Sequence, residues 1–374
     1  MLDVDQATPF LLDRGLIDVS AILDGGLTIR SVARRNRNLR VEVPDGPGYL
    51  IKQPDDPAED GHKTLRNEAA FYRLCQQEPA LGELAAVLPR LAYCDVENAV
   101  LAIELIPESF PLWSQDPADQ ARGIPVEDGR DLGRALGTVH RLFRVTGLAR
   151  DARLDWLSHA LPWILTLHQP GPELLSRISP ANYQTLRILQ NREGPGEPLD
   201  RLRRLWRTET VIHGDIKADN VLVVRSEQAP NSSRLRIVDW EMVQHGDPAW
   251  DLAGALQDFL LFWIASMPIS ATLTAAAMIA RARHPLDGLR GTIRALWQGY
   301  QAAAGLAAIE ADALLARAVA FSAARLIQSA YEISQESSRI SARSVVLLQL
   351  SANLLADPAQ AQARLYGIPS SSFC

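Results

Sequence analysis

Residues 213–220 read His-Gly-Asp-Ile-Lys-Ala-Asp-Asn and lie between Val211-Ile212 and the apolar run Val221 to Val224. The flanks have the composition of two short buried strands, so the polar octet is the loop that joins them. Loops on rigid scaffolds are where catalytic side chains concentrate. Gly, Asp and Asn also favour plain solvated turns, so the octet needs partners before it implies chemistry. Within it, Asp215 is the candidate base for a hydroxyl, and Gly214 lets the backbone turn just before it. Asn220 offers a hard amide oxygen of the kind Mg2+ accepts. A second carboxylate, Asp239, follows the apolar run Leu-Arg-Ile-Val. Upstream, Lys52 ends Tyr-Leu-Ile-Lys and Glu68 sits in a helical pattern.

These are the parts that phosphoryl transfer requires. It needs a residue to position the attacking hydroxyl, oxygen ligands for a metal that gathers phosphate oxygens, and a cation over the phosphates. Mg2+ keeps waters and takes one or two carboxylates plus substrate phosphates, so a sparse set suffices. Read singly, Lys52 is an ordinary strand-end lysine and Glu68 an ordinary helix-surface acid. Their order relative to Asp215, Asn220 and Asp239 gives them the other meaning.

The elements that would position these groups divide in two. Before Pro107 the pattern predicts about five strands and one helix: runs at 27–33, 39–43 and 49–53, a helix through Thr64–Gln77, then Leu-Pro-Arg-Leu-Ala-Tyr-Cys-Asp and Ala-Val-Leu-Ala-Ile-Glu-Leu-Ile-Pro as strands. Pro-Asp-Gly-Pro-Gly at 44–48 has hairpin chemistry. Beyond Pro107 the chain reads as helical, with an amphipathic helix over 127–146 and further helices near 156–168, 181–192, 199–207, 252–280, 289–304, 310–335 and 341–355. Gln169–Pro172 and Gly194–Pro198 read as linkers. Two hairpin-like runs, 211–224 and 235–243, interrupt the helices.

With those elements in place, the sequence resembles the aminoglycoside phosphotransferase and choline kinase-like family, a branch of the protein kinase-like fold. His213–Asn220, Ile-Val-Asp-Trp-Glu at 237–241 and Gly-Asp-Pro-Ala-Trp-Asp-Leu-Ala at 246–253 carry the resemblance. The stretches 49–54, 66–74, 100–107 and 132–140 add weaker support. The resemblance implies an α+β, bilobal protein kinase-like architecture. A small N-lobe, residues 1–107, would hold a five-stranded antiparallel sheet, one helix and the nucleotide phosphates. A large, mainly helical C-lobe, residues 108–374, would hold the catalytic loop, the metal site and the acceptor-binding helices.

It also implies roles. Asp215 resembles the catalytic base, and Asn220 and Asp239 resemble the Mg2+ ligands. Lys52 and Glu68 resemble the ion pair on the phosphates of ATP or GTP. Glu104 to Ile106 resemble the hinge whose backbone reads the base. Asp251 resembles the buried acid that holds the catalytic loop near His213. Lys217 is either a lysine that touches the transferred phosphate or an exposed loop residue. His140 reads as a packed core histidine and Trp250 as packing. There are two departures from protein kinases. The loop Ala-Arg-Arg-Asn-Arg-Asn has no glycine, so Arg34, Arg35 and Arg37 either reach the phosphates or are solvated. Trp240-Glu241 stand where Phe-Gly would follow the metal-binding Asp.

The implied reaction moves a γ-phosphate to a hydroxyl of an aminoglycoside-, amino alcohol- or sugar-like acceptor. A cationic acceptor would want carboxylates, and Glu310, Asp312, Glu332 and Glu336 are available on late helices. A second reading makes the acceptor a Ser or Thr of a peptide in lanthipeptide-like biosynthesis, with a separate partner lyase. A third is a non-catalytic pseudokinase scaffold, which the presence of every catalytic element disfavours.

Composition fits such an enzyme. A net charge of -6 gives no case for nucleic acid binding. Three cysteines, Cys75, Cys94 and Cys374, without a CxxC pair argue against a disulfide framework or structural zinc and suit a reducing cytoplasm. The acidic N-terminus lacks the basic start of a signal peptide. The uncharged stretch Phe259–Ala280 contains Pro268 and reads as two buried helices broken near Met267–Ser270, not as a membrane span.

Overall fold

A computed structural model describes residues 2–32, 37–44, 46–54, 59–114, 116, 121–191, 196–224, 235–270 and 272–369. Arg34, Arg35 and Cys374 lie outside the described residues. The chain forms two compact units, one of Met1–Phe110 with Leu222–Val243 and the other of Pro111–Val221 with Gln244–Cys374.

In the first unit, β1 (Thr28–Ser31), β2 (Arg37–Glu42), β3 (Tyr49–Gln53), β4 (Leu91–Asp95) and β5 (Val100–Glu104) form one sheet in the order β1-β2-β3-β5-β4. All neighbours are antiparallel. The five expected strands are therefore present. Side chains alternate faces along a strand. Leu39 and Val41 of β2, Tyr49 and Ile51 of β3, and Val100 and Ala102 of β5 share one buried cluster with Ala7 and Leu11. Those last two belong to α1 (Val4–Asp13), which with α2 (Val19–Leu23) precedes the sheet. Neither helix was expected. Asp3 starts α1 with a capping box closed by Gln6, a signal legible in the sequence but read only for targeting. On β3 the alternation that turns Ile51 into this cluster turns Lys52 to the other side, toward α3 (Glu59–Gln77).

A short strand β6 (Ser109–Pro111) follows, and β7 (Thr210–Ile212), β8 (Val221–Val224), β9 (Leu235–Ile237) and β10 (Gln244–Gly246) are the remaining strands. The two hairpin-like runs are not hairpins. β7 pairs antiparallel with β10, and β8 neighbours β9, so the strands on either side of the 213–220 loop have different partners.

The second unit is built on helices. Val126–Val145 packs along Leu286–Ala304 so closely that a Cβ added at Gly133 would lie 1.9 Å from the Leu296 carbonyl oxygen. Glycine is needed there because backbone meets backbone. Pro248–Ala265 is buried over 16 of its 18 residues, as befits a helix surrounded by protein. It packs against Ala308–Ile333, which also contacts Ala342–Ala356.

Three sequence expectations fail here. Residues 156–168 form no α-helix. Ser158 bridges to Gln244 of β10, and a 3₁₀ turn covers Trp163–Thr166. Pro162 precedes that turn, and a helix rarely continues through the residue before a proline. The uncharged stretch breaks near Met267 as expected, but its second helix, Ala275–Ala280, buries none of its residues. A further short helix, Pro172–Arg177, begins where a linker was expected. Among the described residues no helix is long and apolar enough to cross a membrane.

Candidate active site

The first unit brings Lys52, Glu68 and Asp239 together. The Lys52 ammonium donates to both Glu68 carboxylate oxygens, at 2.8 and 2.9 Å, and to Asp239 Oδ1 at 2.6 Å. Lys52 is 4% exposed and Glu68 fully buried. Burial pushes the lysine pKa down, but the two carboxylates outweigh it and the net shift is upward, so the ammonium stays charged. Burial pushes the Glu68 carboxyl up to about 7 against the pull of Lys52.

Asp239 sits in left-handed backbone, φ 67, between β9 and a 3₁₀ turn over Trp240–Met242. Trp240 fixes that turn. It is fully buried and stacks on Phe71 of α3 with ring centroids 4.3 Å apart, while its indole N–H donates to the Ile237 carbonyl at 2.9 Å. The tryptophan in place of phenylalanine thus ties Asp239 to the helix that carries Glu68. Glu104 ends β5, where its N–H donates to the Arg90 carbonyl and its carboxylate meets Arg90. The Ile106 carbonyl accepts from the Ser109 hydroxyl at 2.7 Å. Arg40, on β2 beyond the arginine-bearing loop, pairs with Glu42 at the surface.

The second unit holds the 213–220 loop. Asp251, in the first turn of Pro248–Ala265, accepts the His213 N–H at 2.7 Å and the Gly214 N–H at 2.9 Å. Its Oδ2 is also 3.2 Å from His140 Nε2, and His140 Nδ1 is 3.0 Å from the Tyr300 hydroxyl. His140 is buried and engaged at both ring nitrogens, as a core histidine should be. The Trp250 indole N–H donates to the Gly214 carbonyl at 3.0 Å. Gly214 adopts φ 85, a conformation open to glycine at little cost. A Cβ at Gly254 would come within 2.6 Å of the Ile216 carbonyl, so the buried helix also needs a glycine beneath the loop.

Asp215 projects from this anchored backbone. Its N–H donates to His213 Nδ1 at 3.2 Å, and its carbonyl accepts the Asn220 amide at 2.9 Å. Its carboxylate accepts from Lys217 at 2.6 Å and from Arg325 at 3.2 Å. Burial raises the Asp215 pKa, but Arg325 and then Lys217 more than reverse this and hold the carboxyl below the usual carboxylate range. Sequence reasoning missed Arg325. It lies 110 residues from Asp215 on Ala308–Ile333, and no local motif marks it. Its guanidinium also donates to the Ile216 carbonyl at 3.0 Å and lies 5.4 Å over the Trp250 ring.

Sequence reading also passed over Asp258 as a chemical group. This buried acid accepts the Trp113 indole N–H at 2.7 Å, and burial pushes its carboxyl up to about 7. Of the late acids, Glu310 accepts the Ala307 N–H at the start of its own helix. Glu332 accepts from Gln328, which in turn accepts from Arg325.

Both metal-ligand candidates offer hard oxygen. Asn220 uses its amide nitrogen on the loop, and its Oδ1 accepts no hydrogen bond among the described residues. Asp239 is a partly exposed carboxylate. Among the described residues no group of three or more His, Cys, Asp or Glu is gathered for a metal. That donor chemistry suits Mg2+, which leans on water and phosphate oxygens, and does not suit zinc.

The phosphotransferase enzyme family model matches residues 27–320. Among solved structures, an amicoumacin kinase in complex with AMP-PNP, Ca2+ and Ami aligns with a TM-score of 0.54 at 13% identity, over 94% of this chain and 96% of that one. A choline kinase from Cryptosporidium parvum Iowa II aligns with a TM-score of 0.53 at 13% identity, over 95% and 97%. No curated protein matches the sequence. The chain belongs to the phosphotransferase enzyme family, has the protein kinase-like α+β fold, and is a phosphotransferase that acts on hydroxyl groups.

Proposed function

We propose that the protein transfers the γ-phosphate of ATP or GTP to a hydroxyl of a small molecule, with Asp215 as the base. The observation that carries this reading is the setting of Asp215. Its backbone is anchored through Asp251, Trp250 and Asn220, and its carboxylate is kept ionised by Arg325 and Lys217. A carboxylate of low pKa is a weak base at neutral pH. It orients the acceptor hydroxyl and takes its proton as the new P–O bond forms and the alcohol becomes acidic.

Asn220 and Asp239 would hold Mg2+, which when bound neutralises charge on the phosphate oxygens. Lys52, kept protonated by Glu68 and Asp239, would steady the phosphates. The backbone of Glu104 to Ile106 would take the base edge of the nucleotide. In this reading residues 1–107 serve the nucleotide phosphates, and the acceptor is bound within 108–374.

For the acceptor, an amine-bearing alcohol has the most support. A hydrogen-bonded row runs from Asp215 to Arg325, Gln328 and the exposed Glu332, the last three on a single helix. Next to it Tyr331 meets the half-exposed Trp163 edge to face, with ring centroids 5.2 Å apart. A carboxylate near aromatic faces suits a cation. Kinases of choline and of amicoumacin among the structural neighbours agree with a small acceptor.

The test is a phosphate-transfer screen of the full chain with Mg2+ and ATP or GTP against amino alcohols, aminoglycosides, sugars and Ser/Thr peptides. Transfer to an amine-bearing alcohol, weakened by Glu332→Gln, is expected. Transfer confined to peptides would overturn the acceptor assignment.

A further inference from the structure

A cavity of about 530 Å³ lies within the helical unit, and none of Asp215, Lys217 or Asn220 lines it. Pockets of roughly 300–1,000 Å³ are the size that holds small organic ligands. Its charge is unusual for a chain of net charge -6. Four arginines line it against two glutamates, and both glutamates are already committed. Glu209 accepts from Arg317 at 3.3 Å, with Arg207 3.7 Å away. Glu310 holds the Ala307 N–H at 3.0 Å. Arg317 is buried, and its Nε and Nη2 groups also donate to Asp247, at 3.0 and 3.1 Å, so it is held between two carboxylates.

The other three arginines retain donors. Arg144 gives one N–H to the Ala304 carbonyl. Arg207 is 58% exposed. Arg150 is exposed, and its side chain has no hydrogen bond or ion pair among the described residues. Guanidinium groups match carboxylate and phosphate oxygens through paired N–H bonds. Leu306 and Leu314 supply apolar wall.

We propose that this cavity is a second binding site, for a small organic molecule that carries a phosphate or carboxylate group beside an apolar part. The oxyanion meets Arg150 and Arg207, and the apolar part lies against the leucines. His140 and Thr210 form part of the wall. The Thr210 hydroxyl donates to the His140 carbonyl at 3.1 Å, and His140 contacts the Asp251 carboxylate that anchors the 213–220 loop. An occupant therefore touches the support of Asp215 from behind, outside the set of groups proposed to act on nucleotide and acceptor.

The test is calorimetric titration of the full chain at low ionic strength with phenyl phosphate and, separately, phenylacetate, which distinguishes the two oxyanion sources. One site per chain is expected for at least one probe. Arg150→Glu is expected to weaken it roughly tenfold and Arg150→Lys, which keeps the charge but not the paired N–H bonds, by a smaller factor, while the surface control Arg177→Glu leaves it within about threefold. Arg150 and Arg177 are exposed, so these variants fold. Binding of neither probe overturns the proposal. So does an affinity that Arg150→Glu lowers by less than about threefold, since the anion would then bind elsewhere.

Discussion

Lys52 and Asp215 occupy opposite electrostatic settings. In the first unit a buried ammonium lies between two carboxylates, Glu68 and Asp239. In the second a carboxylate lies between two cations, Lys217 and Arg325. The first cluster carries an excess negative charge and suits the arrival of a metal cation. The second carries an excess positive charge and suits groups that develop negative charge. They also differ in burial. Lys52 and Glu68 are sealed, whereas Asp215 is 22% and Lys217 44% exposed at the side chain. Lys52 and Glu68 are therefore shielded from water, whereas solvent reaches the Asp215–Lys217 pair.

The contrast breaks most easily at the sealed pair. Lys52→Met leaves Glu68 buried without its cation, and breaking such a pair costs about 3–5 kcal/mol. Urea unfolding should show that loss, and Lys52→Met combined with Glu68→Leu should recover most of it. A loss below about 1 kcal/mol, the range of exposed pairs, would remove the distinction between the two clusters.

The next effect is a pH dependence beneath the 213–220 loop. The Asp258 carboxyl is raised by burial to about 7 in the folded chain from 3.8. The folded state thus holds this proton more tightly than the unfolded one. The associated stability is fully present below about pH 4 and is lost as pH rises through about 7. Asp258→Asn keeps an acceptor for Trp113 and does not titrate. Unfolding free energies from pH 4 to 8 should show wild type falling relative to Asp258→Asn, by up to about 4 kcal/mol. Parallel curves would assign Asp258 an ordinary pKa.

The smallest effect sharpens the open cluster. Arg325→Gln removes the charge that most opposes Asp215 protonation, so the Asp215 pKa rises. The acidic limb of the kcat profile should move to higher pH, with a loss of roughly tenfold at neutral pH. An unmoved limb would make Arg325 a packing residue.

What the sequence made legible follows the same division between local and distant. Tyr-Leu-Ile-Lys, His213–Asn220 and Asp239-Trp240-Glu241 are contiguous, and a strand or a tight loop fixes which way their side chains point. The five-stranded sheet was readable for that reason, because its strands alternate and are set off by turn residues. Arg325 was not readable. It reaches Asp215 only through the packing of Ala308–Ile333 against Pro248–Ala265, and nothing in a single sequence registers that contact. The partners of β7 and β8 were misread for a similar cause, since two strands flanking a short loop look like a hairpin whether or not they pair. The expected helix at 156–168 shows the reverse failure, an apolar pattern overridden by Pro162 and by the bridge of Ser158 to β10.

The most direct test of Asp215 is the Asp215→Asn variant, measured for turnover and for nucleotide binding in the same preparation. Asparagine keeps the size of the side chain and removes its charge. The role of Asp215 as the base predicts a fall in kcat of about 10²–10⁴-fold, with nucleotide Kd changed by no more than about threefold and the fold intact. Turnover within about tenfold of wild type would contradict it, because a group that accepts the hydroxyl proton cannot be neutralised at so small a cost.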